Sequence, residues 1–460
     1  MPRTTTRSYG TWEPRPADGN AEELLQARGR KRVNRRIIVC SIFSVLAIVA
    51  FMFVAGCLWW AMELTCWAPF NPPYPQPKSW DDFTNNSFAV GFDLTAGYGT
   101  ASVAFYNGTI IDVARVEGPS EYNSLLARLS LKSSTHPTPP YYGCSAQTGD
   151  LRRQWRRYFY KRCGLPASSD VEALASVLGQ LKFETDAFLR SASQDSLQVA
   201  FVTVPNLPAL YLQDLIDAAE YVKIQLVTLP GYMFRSGDAL QWPVSEINTA
   251  MAGNGIGFPD PSSMVGQSPN KNRNALGINR EEIVGIESVP WDDNLFSVLY
   301  TNTALTAYVG PFGSAQHFSG VEGIANFSLG LSRCMQSQPL TTNSAFDFDS
   351  NTDCPPPAPY WTTVRDALRT ALDSYLTRGH ELGRVISYGE NAHHAQFAAL
   401  LKEEVLARQS NDDREHQVQF VSENPVFAAS RGAAQFAKLC ATMSDRKACF
   451  PDLRPRTPGW

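Results

Sequence analysis

What this 460-residue chain lacks narrows what it can be. None of its nine cysteines falls in a Cys-x-x-Cys pair, which removes the usual spacing of a structural zinc site. No Gly-x-Ser-x-Gly element occurs, so the strained nucleophile turn of an α/β-hydrolase is missing. There is no excess of positive charge beyond the N-terminus. The first 36 residues hold nine basic and four acidic side chains against −4 for the whole chain, so the remainder carries −9. Binding to a phosphate backbone needs clustered Lys and Arg, and an acidic body argues against nucleic acid as a partner. The most informative absence is of charge itself: Ile37–Met62 contains none.

At ~1.5 Å per helical residue that run is long enough to cross a ~30 Å hydrocarbon core. Arg28, Arg30, Lys31, Arg32, Arg35 and Arg36 crowd before it, and Glu63 with a proline-rich stretch follows. The positive-inside bias places the N-terminus in the cytosol, and Trp59, Trp60 and Trp67 suit the far interface. A cleaved signal has an apolar region of only ~7–15 residues and ends on a small-x-small site, which is absent here. The sequence therefore predicts a single-pass type II membrane protein. Residues 1–36 form a disordered basic tail near anionic headgroups, 37–62 a signal-anchor helix, and 63–86 a stalk that includes the proline-dense Ala68–Lys78. The remainder is lumenal or extracellular.

Cysteine usage agrees with that compartment. Cys40 and Cys57 belong to the apolar run, and six others form sequence-near couples: Cys144 with Cys163, Cys334 with Cys354, Cys440 with Cys449. In an oxidising lumen these are expected disulfides. Cys66 is left over, open to an intermolecular bridge or a lipid-facing thiol. Asn85, Asn107 and Asn326 head three Asn-x-Ser/Thr glycosylation acceptors.

Periodicity predicts strands at Phe88–Asp93, Thr100–Tyr106 and Ile110–Val116, then a helix over Val171–Leu189. Strand Leu197–Val204, a helix with its apolar face at Leu212, Leu215, Ile216, Ala219 and Val222, and strand Ile224–Leu229 follow. Gly253–Pro290 is a long surface excursion and Cys334–Pro359 a second one. Asn294–Tyr300 and Ala304–Val309 read as another hairpin and Thr362–Arg378 as a helix. Strand Arg384–Tyr388, helix Ala395–Ala407, strand Gln417–Val421 and helix Val426–Thr442 end the pattern. Hairpins opening each half, followed by strand–helix alternation, predict an α/β unit of two related lobes.

Val90–Gly108 (VGFDLTAGYGTASVAFYNG) places an aspartate at a strand end before a turn with Gly97 and Gly99. Such a turn either aims backbone N–H groups inward as an anion cradle, with Asp93 on a metal, or is a plain hairpin. Neighbouring segments bear on the choice. Gly91–Gly97 resembles the first phosphate hairpin of the seventy-kilodalton heat-shock chaperones, relatives of actin and the sugar kinases. Val199–Leu207 is similar to that family's strand ending in Val-Pro, and Glu246–Gly257 to its first connecting helix. Val385–Glu404 resembles the adenosine-motif strand, turn and helix, and Asn424–Ala437 the second connecting helix, whose small residues let two helices cross closely. The resemblance covers most of Ser87–Thr442 and implies a bilobed actin/chaperone ATPase-like, ribonuclease H-like fold. Its lobes would be about 87–290 and 291–442, with 443–460 a tail and no peptide-binding domain. It implies ATP or ADP with magnesium as cofactor, Asp93 and Glu246 as the catalytic carboxylates, and Asp93 on the metal. The nucleotide would contact Asp93, Thr95, Ala96, Gly97, Tyr98 and Gly389.

The departures point away from catalysis. The family's Gly-Thr-Thr is Thr95-Ala96-Gly97 here, and its second hairpin Asp-x-Gly-Gly-Gly becomes Leu299 followed by Thr301-Asn302-Thr303. Ala392 stands where the purine-stacking arginine is expected, and no counterpart of the catalytic lysine can be placed. The basic stretch Arg152–Lys161 reads as a solvated helix face. Each lost electrostatic contact is worth ~3 kcal/mol to phosphoryl transfer, so weak or no ATP hydrolysis and a binding or scaffold role toward a protein partner are expected. A second class is a Golgi glycosyltransferase, in which Asp347-Phe348-Asp349 would hold a divalent metal. The polar Thr-Thr-Asn-Ser before it favours an acidic surface patch instead. His393-His394 reads as capping or surface, since adjacent residues diverge on a helix. Gly253–Gly257 reads as a helix C-cap.

Overall fold

A computed structural model describes residues 45–54, 56–57, 88–105, 107–136, 151–227, 244–257, 294–312, 322–332, 358–408 and 418–442. The chain falls into two compact units, Met1–Phe70 and Asn71–Trp460. In the first, residues 45–54 and 56–57 are helical, and Phe51, Met52 and Phe53 lie open, at 66–73% exposure. No helix among the described residues is long and apolar enough to cross a membrane, and the rest of Ile37–Met62 lies outside them.

The second unit is α/β, built on two mixed five-stranded sheets. In the first sheet β1 (Phe88–Leu94), β2 (Tyr98–Phe105) and β3 (Ile110–Glu117) form an antiparallel meander. Strands β4 (Val199–Thr203) and β5 (Gln225–Val227) extend β1 in parallel, giving the order β3-β2-β1-β4-β5. Helix α1 (Ser120–Leu129), α2 (Leu151–Arg162) and α3 (Ser169–Ser191) precede β4; α4 (Leu212–Tyr221) joins β4 to β5 and α5 (Glu246–Gly253) follows. The second sheet repeats the plan. Strands β6 (Asn294–Tyr300), β7 (Leu305–Pro311) and β8 (Glu322–Asn326) are antiparallel, and β9 (Arg384–Tyr388) and β10 (Gln419–Val421) are parallel to β6. Helix α6 (Ala358–Leu376) precedes β9, α7 (Ala395–Leu406) joins it to β10, and α8 (Ala428–Thr442) follows.

The register carries the repeat to single residues. Asp93 pairs with Thr100 on β2 and Thr203 on β4; Leu299 pairs with Thr306 on β7 and Tyr388 on β9. Leu299 thus holds in β6 the place that Asp93 holds in β1.

Three apolar cores follow from this layout. One joins the first sheet to α1, α3 and α4, through Phe92, Leu126, Leu178 and Leu215 among others. Another joins the second sheet to α6 and α7, through Phe296, Leu368 and Phe397. The third draws on Phe201, Leu295, Leu299 and Ile386 from both sheets and on α5 and α8, and the Phe201 and Phe436 rings stack at 5.5 Å. Its helices cross backbone to backbone. A Cβ on Gly253 would strike Ala428 O, and one on Gly432 would strike Thr249 O, both far inside the 3.0 Å that real Cβ atoms keep. Helix α8 lies as tightly on β1, where Gly91 faces Ser430 O and Ala434 N.

One expected feature is overturned. Cys163 is a free, exposed thiol, so the Cys144–Cys163 bridge is not formed. Its amide closes the end of α2 onto Phe159 O and Tyr160 O, and Gly164 at φ 71° turns the chain away, leaving the thiol to solvent. Cys440 is buried and disulfide-bonded. Cys144, Cys334, Cys354 and Cys449 lie outside the described residues, as do Asn85 and Asp347–Asp349. Asn107 is exposed and Asn326 half-buried, its carboxamide oxygen accepting from Ser328 N and Oγ.

The crossing makes a paired prediction. Gly432→Ala should lower the unfolding free energy by about 2–3 kcal/mol, because two backbones must separate. Gly179→Ala, inside α3 where a Cβ meets only Val222 Cγ1 at 3.5 Å, should raise it by about 0.5–1 kcal/mol. Urea unfolding followed by tryptophan fluorescence separates the two, and equal losses would refute the assigned contacts.

Candidate functional site

Two hairpin turns, Thr95–Gly97 after β1 and Thr301–Thr303 after β6, meet where the sheets face each other. Gly97 adopts φ 102°, and a Cβ there would sit 2.5 Å from Thr303 Oγ1. The Thr303 side chain thus fills the space in front of the first turn. Around it Asp93, Thr95, Ala96, Thr301 and Leu299 are all buried.

The second turn has spent its backbone donors. Thr301 N donates to Ala304 O at 3.0 Å and Asn302 N to Glu390 Oε1 at 2.8 Å. Thr303 N and Ala304 N both donate to Thr301 Oγ1, at 3.1 and 3.0 Å. A glycine turn leaves such amides open to an anion, whereas these threonine and glutamate oxygens occupy them.

Asp93 and Glu246 are brought close enough together that the Glu246 charge acts on Asp93. Glu246 opens α5 beside the end of β4: its N–H donates to Val204 O at 2.8 Å, and the Ser245 hydroxyl caps the helix by accepting from Ile247 N. Both side chains are buried, and Asp93 Oδ1 and Glu246 Oε2 have no hydrogen-bond partner. Burial, reinforced by the Glu246 charge, holds the Asp93 carboxyl well above the usual carboxylate range. Burial lifts Glu246 to about 8, while the neighbouring Thr95 hydroxyl and Tyr388 phenol work the other way. The Tyr388 hydroxyl donates to Glu246 Oε1 at 3.4 Å. The site therefore keeps protons at neutral pH.

Residues that sequence reasoning missed hold the two sheets together. Arg115 on β3 lies 4.6 Å from the Tyr98 ring centroid and pairs with Glu390, just after β9. Glu390 in turn takes the Asn302 N–H, so one carboxylate ties β3 to the second turn. Tyr308 on β7 donates to Asn206 O beyond β4 at 2.5 Å. These partners lie 275, 88 and 102 residues apart, beyond any local spacing signal.

Other candidates fall into structural roles. Gly389 adopts φ 96°, donates to Pro425 O and presses on Tyr300 O, and Ala392 is buried. The His394 ring stacks on Trp361 at 5.3 Å, while His393 Nε2 lies 3.0 Å from Ser422 O and Oγ, so the two histidines do not converge. Among the described residues no group of three or more His, Cys, Asp or Glu is placed to hold a metal. The residues present do not fit a magnesium-bound triphosphate: the second acid is Leu299, the second turn offers no amide, and Thr303 fills the cradle. No family model matches this chain, and no curated protein is significantly similar to it in sequence.

Two measurements test the site. Glu246 has its native pKa raised from 4.5 to about 8, so native chains keep a proton that unfolded chains release. Its contribution is full below pH ~4.5 and is lost as pH rises to about 8. Glu246→Gln, which cannot ionise, should flatten that decline and raise Tm at pH 8 by about 3 °C or more, with little change at pH 4.5. Thermal melts at both pH values decide this, and parallel shifts would contradict it. Glu390→Ala strands the Asn302 N–H and leaves Arg115 with Glu117 on its own strand, at 2.7 Å. It should cost about 1–2 kcal/mol in urea unfolding, discounted for the third of the Arg115 side chain that water reaches. A loss below ~0.3 kcal/mol would show that the clasp holds nothing.

Proposed function

We propose that this chain is a single-pass type II membrane protein whose ectodomain is an actin/chaperone-type ATPase fold that has lost phosphoryl transfer and serves as a binding or scaffold unit. The observation that carries the reading is the repetition in both halves of a β-β-β-α-β-α-β-α plan, with two further helices before β4 in the first, and with equivalent hairpin turns meeting face to face. Duplicated sheets of this order, and two small-residue helices crossing between them, are what the resemblance implies for Ser87–Thr442. The charge-free run Ile37–Met62, with its basic flank, supports the membrane anchor.

The same site argues for lost chemistry. Phosphoryl transfer is accelerated mainly by positioning and by neutralising developing charge. Leu299 takes the register place of an opposed carboxylate, and the second turn's amides are bound to side chains of its own unit. Two missing contacts at ~3 kcal/mol each would slow turnover by a factor of about 10⁴. What survives is two packed halves with a buried protonated acid pair between them, a rigid shape suited to presenting surfaces.

Isothermal calorimetry and phosphate-release assays on the full chain in detergent micelles, with magnesium and ATP or ADP, test the reading. The expected result is a Kd weaker than ~1 mM and no release above the protein-free rate. Micromolar binding with turnover would refute it.

A further inference from the structure

The Asn-x-Ser/Thr acceptors have no part in the proposed binding role. Two of the three lie among the described residues, and the fold treats them differently. Asn107-Gly108-Thr109 forms the tip of the β2–β3 hairpin, and all three residues are exposed. The loop is closed beneath them: Phe105 N donates to Thr109 O at 2.8 Å and Gly108 N to Phe105 O at 3.1 Å. The Asn107 carboxamide oxygen accepts from Thr109 N at 2.9 Å, an Asx turn that fixes the amide and leaves its nitrogen uncommitted among the described residues. Gly108 takes φ 94°, and a Cβ there would meet nothing within 4 Å, so the tip stands clear. Asn326 is placed otherwise. It ends β8 half-buried; Phe327 beside it packs against two of the cores, and Leu329 and Gly330 are buried.

We propose that Asn107 carries an N-linked oligosaccharide in the folded protein and that Asn326 does not. The inference rests on the lumenal or extracellular ectodomain of the proposed reading. In the transfer, Asn107 Nδ2 attacks the anomeric carbon of an oligosaccharide held on a polyprenyl diphosphate. A C–N bond forms and the bond from that carbon to the diphosphate oxygen breaks. The amide gives one proton to a base of the membrane-bound transferase, and the lipid diphosphate leaves. Transfer acts on chain that has not yet packed, so the fold decides which sugar it can keep. A bulky, hydrated chain fits an open hairpin tip. At Asn326 it would stand among packed residues, and a chain so modified would be held back from folding. Strand β3, which the tip opens, is the outermost of its sheet, so a sugar there also screens that edge from added strands.

Translation of the full chain with microsomal membranes, then peptide-N-glycosidase and peptide mass mapping of the folded fraction, tests this. Enzymatic release turns a modified Asn into Asp, so residue 107 should be converted and residue 326 remain Asn. Asn107→Gln and Thr109→Ala should each abolish one glycosidase-sensitive mobility step, whereas Thr109→Ser, which keeps the hydroxyl, should retain it. All three changes sit at exposed positions, outside the cores. Protease added outside the sealed vesicles separates two failures. A protected ectodomain with Asn107 unmodified overturns the proposal and leaves the anchor standing; a digested ectodomain overturns both. Conversion at residue 326, with or without residue 107, also overturns the proposal.

Discussion

Two helices in backbone contact set the geometry of everything else in Asn71–Trp460. Where α5 crosses α8, Gly253 and Gly432 leave no room for even a methyl group, and α8 in turn lies on β1 at Gly91. Helices that touch at side chains stay 8–10 Å apart, and dispensing with side chains at the crossing brings them closer. Because α5 follows the first sheet and α8 the second, that short separation brings the sheet ends within reach of each other. The meeting of Gly97 with Thr303, the Arg115–Glu390 clasp and the Tyr308–Asn206 bond are all consequences of it.

Closeness at the crossing has a cost at the strand ends. It shuts Asp93 and Glu246 away from water, and a buried carboxylate without a cation keeps its proton. Leu299 makes this tolerable, since a third acid in the same layer would add repulsion without a counter-charge. The threonines of the second turn act in the same direction by satisfying amides that would otherwise be buried without partners. Self-bonded turns of this kind satisfy their own amides and leave none for a ligand's oxygens. A closely packed interface between the halves is the outcome.

Much of the scaffold was legible in the sequence. Asn294–Tyr300 and Arg384–Tyr388 are strands to the residue, and Phe88–Asp93 falls one residue short, because each is an apolar run bounded by turn residues. The C-cap after Gly253 was readable from its glycines, with Gly255 and Gly257 at positive φ. By contrast, α1 follows Pro119 with no side-chain cap, and β8 is short and carries Gly323, so neither has a start signal or an apolar alternation. The stretch Arg152–Lys161 reads as a solvated face, yet Arg157 is its buried residue, because Asp217 on another helix neutralises it.

What the sequence by itself determined is the order of most elements, the apolar face of each, and the side chains carried by the two turns, Leu299 and Thr301–Thr303 among them. These are local properties, set by side-chain type and period. Only the tertiary structure decided that Thr303 occupies the space before Gly97, that Arg115 meets Glu390, that Glu246 joins Asp93 as a proton-holding pair, and that Cys163 stays unbridged. Each depends on partners tens to hundreds of residues apart. An apolar stripe or a turn states which surface must be covered, but what covers it is set by how closely the crossing helices allow the sheets to approach.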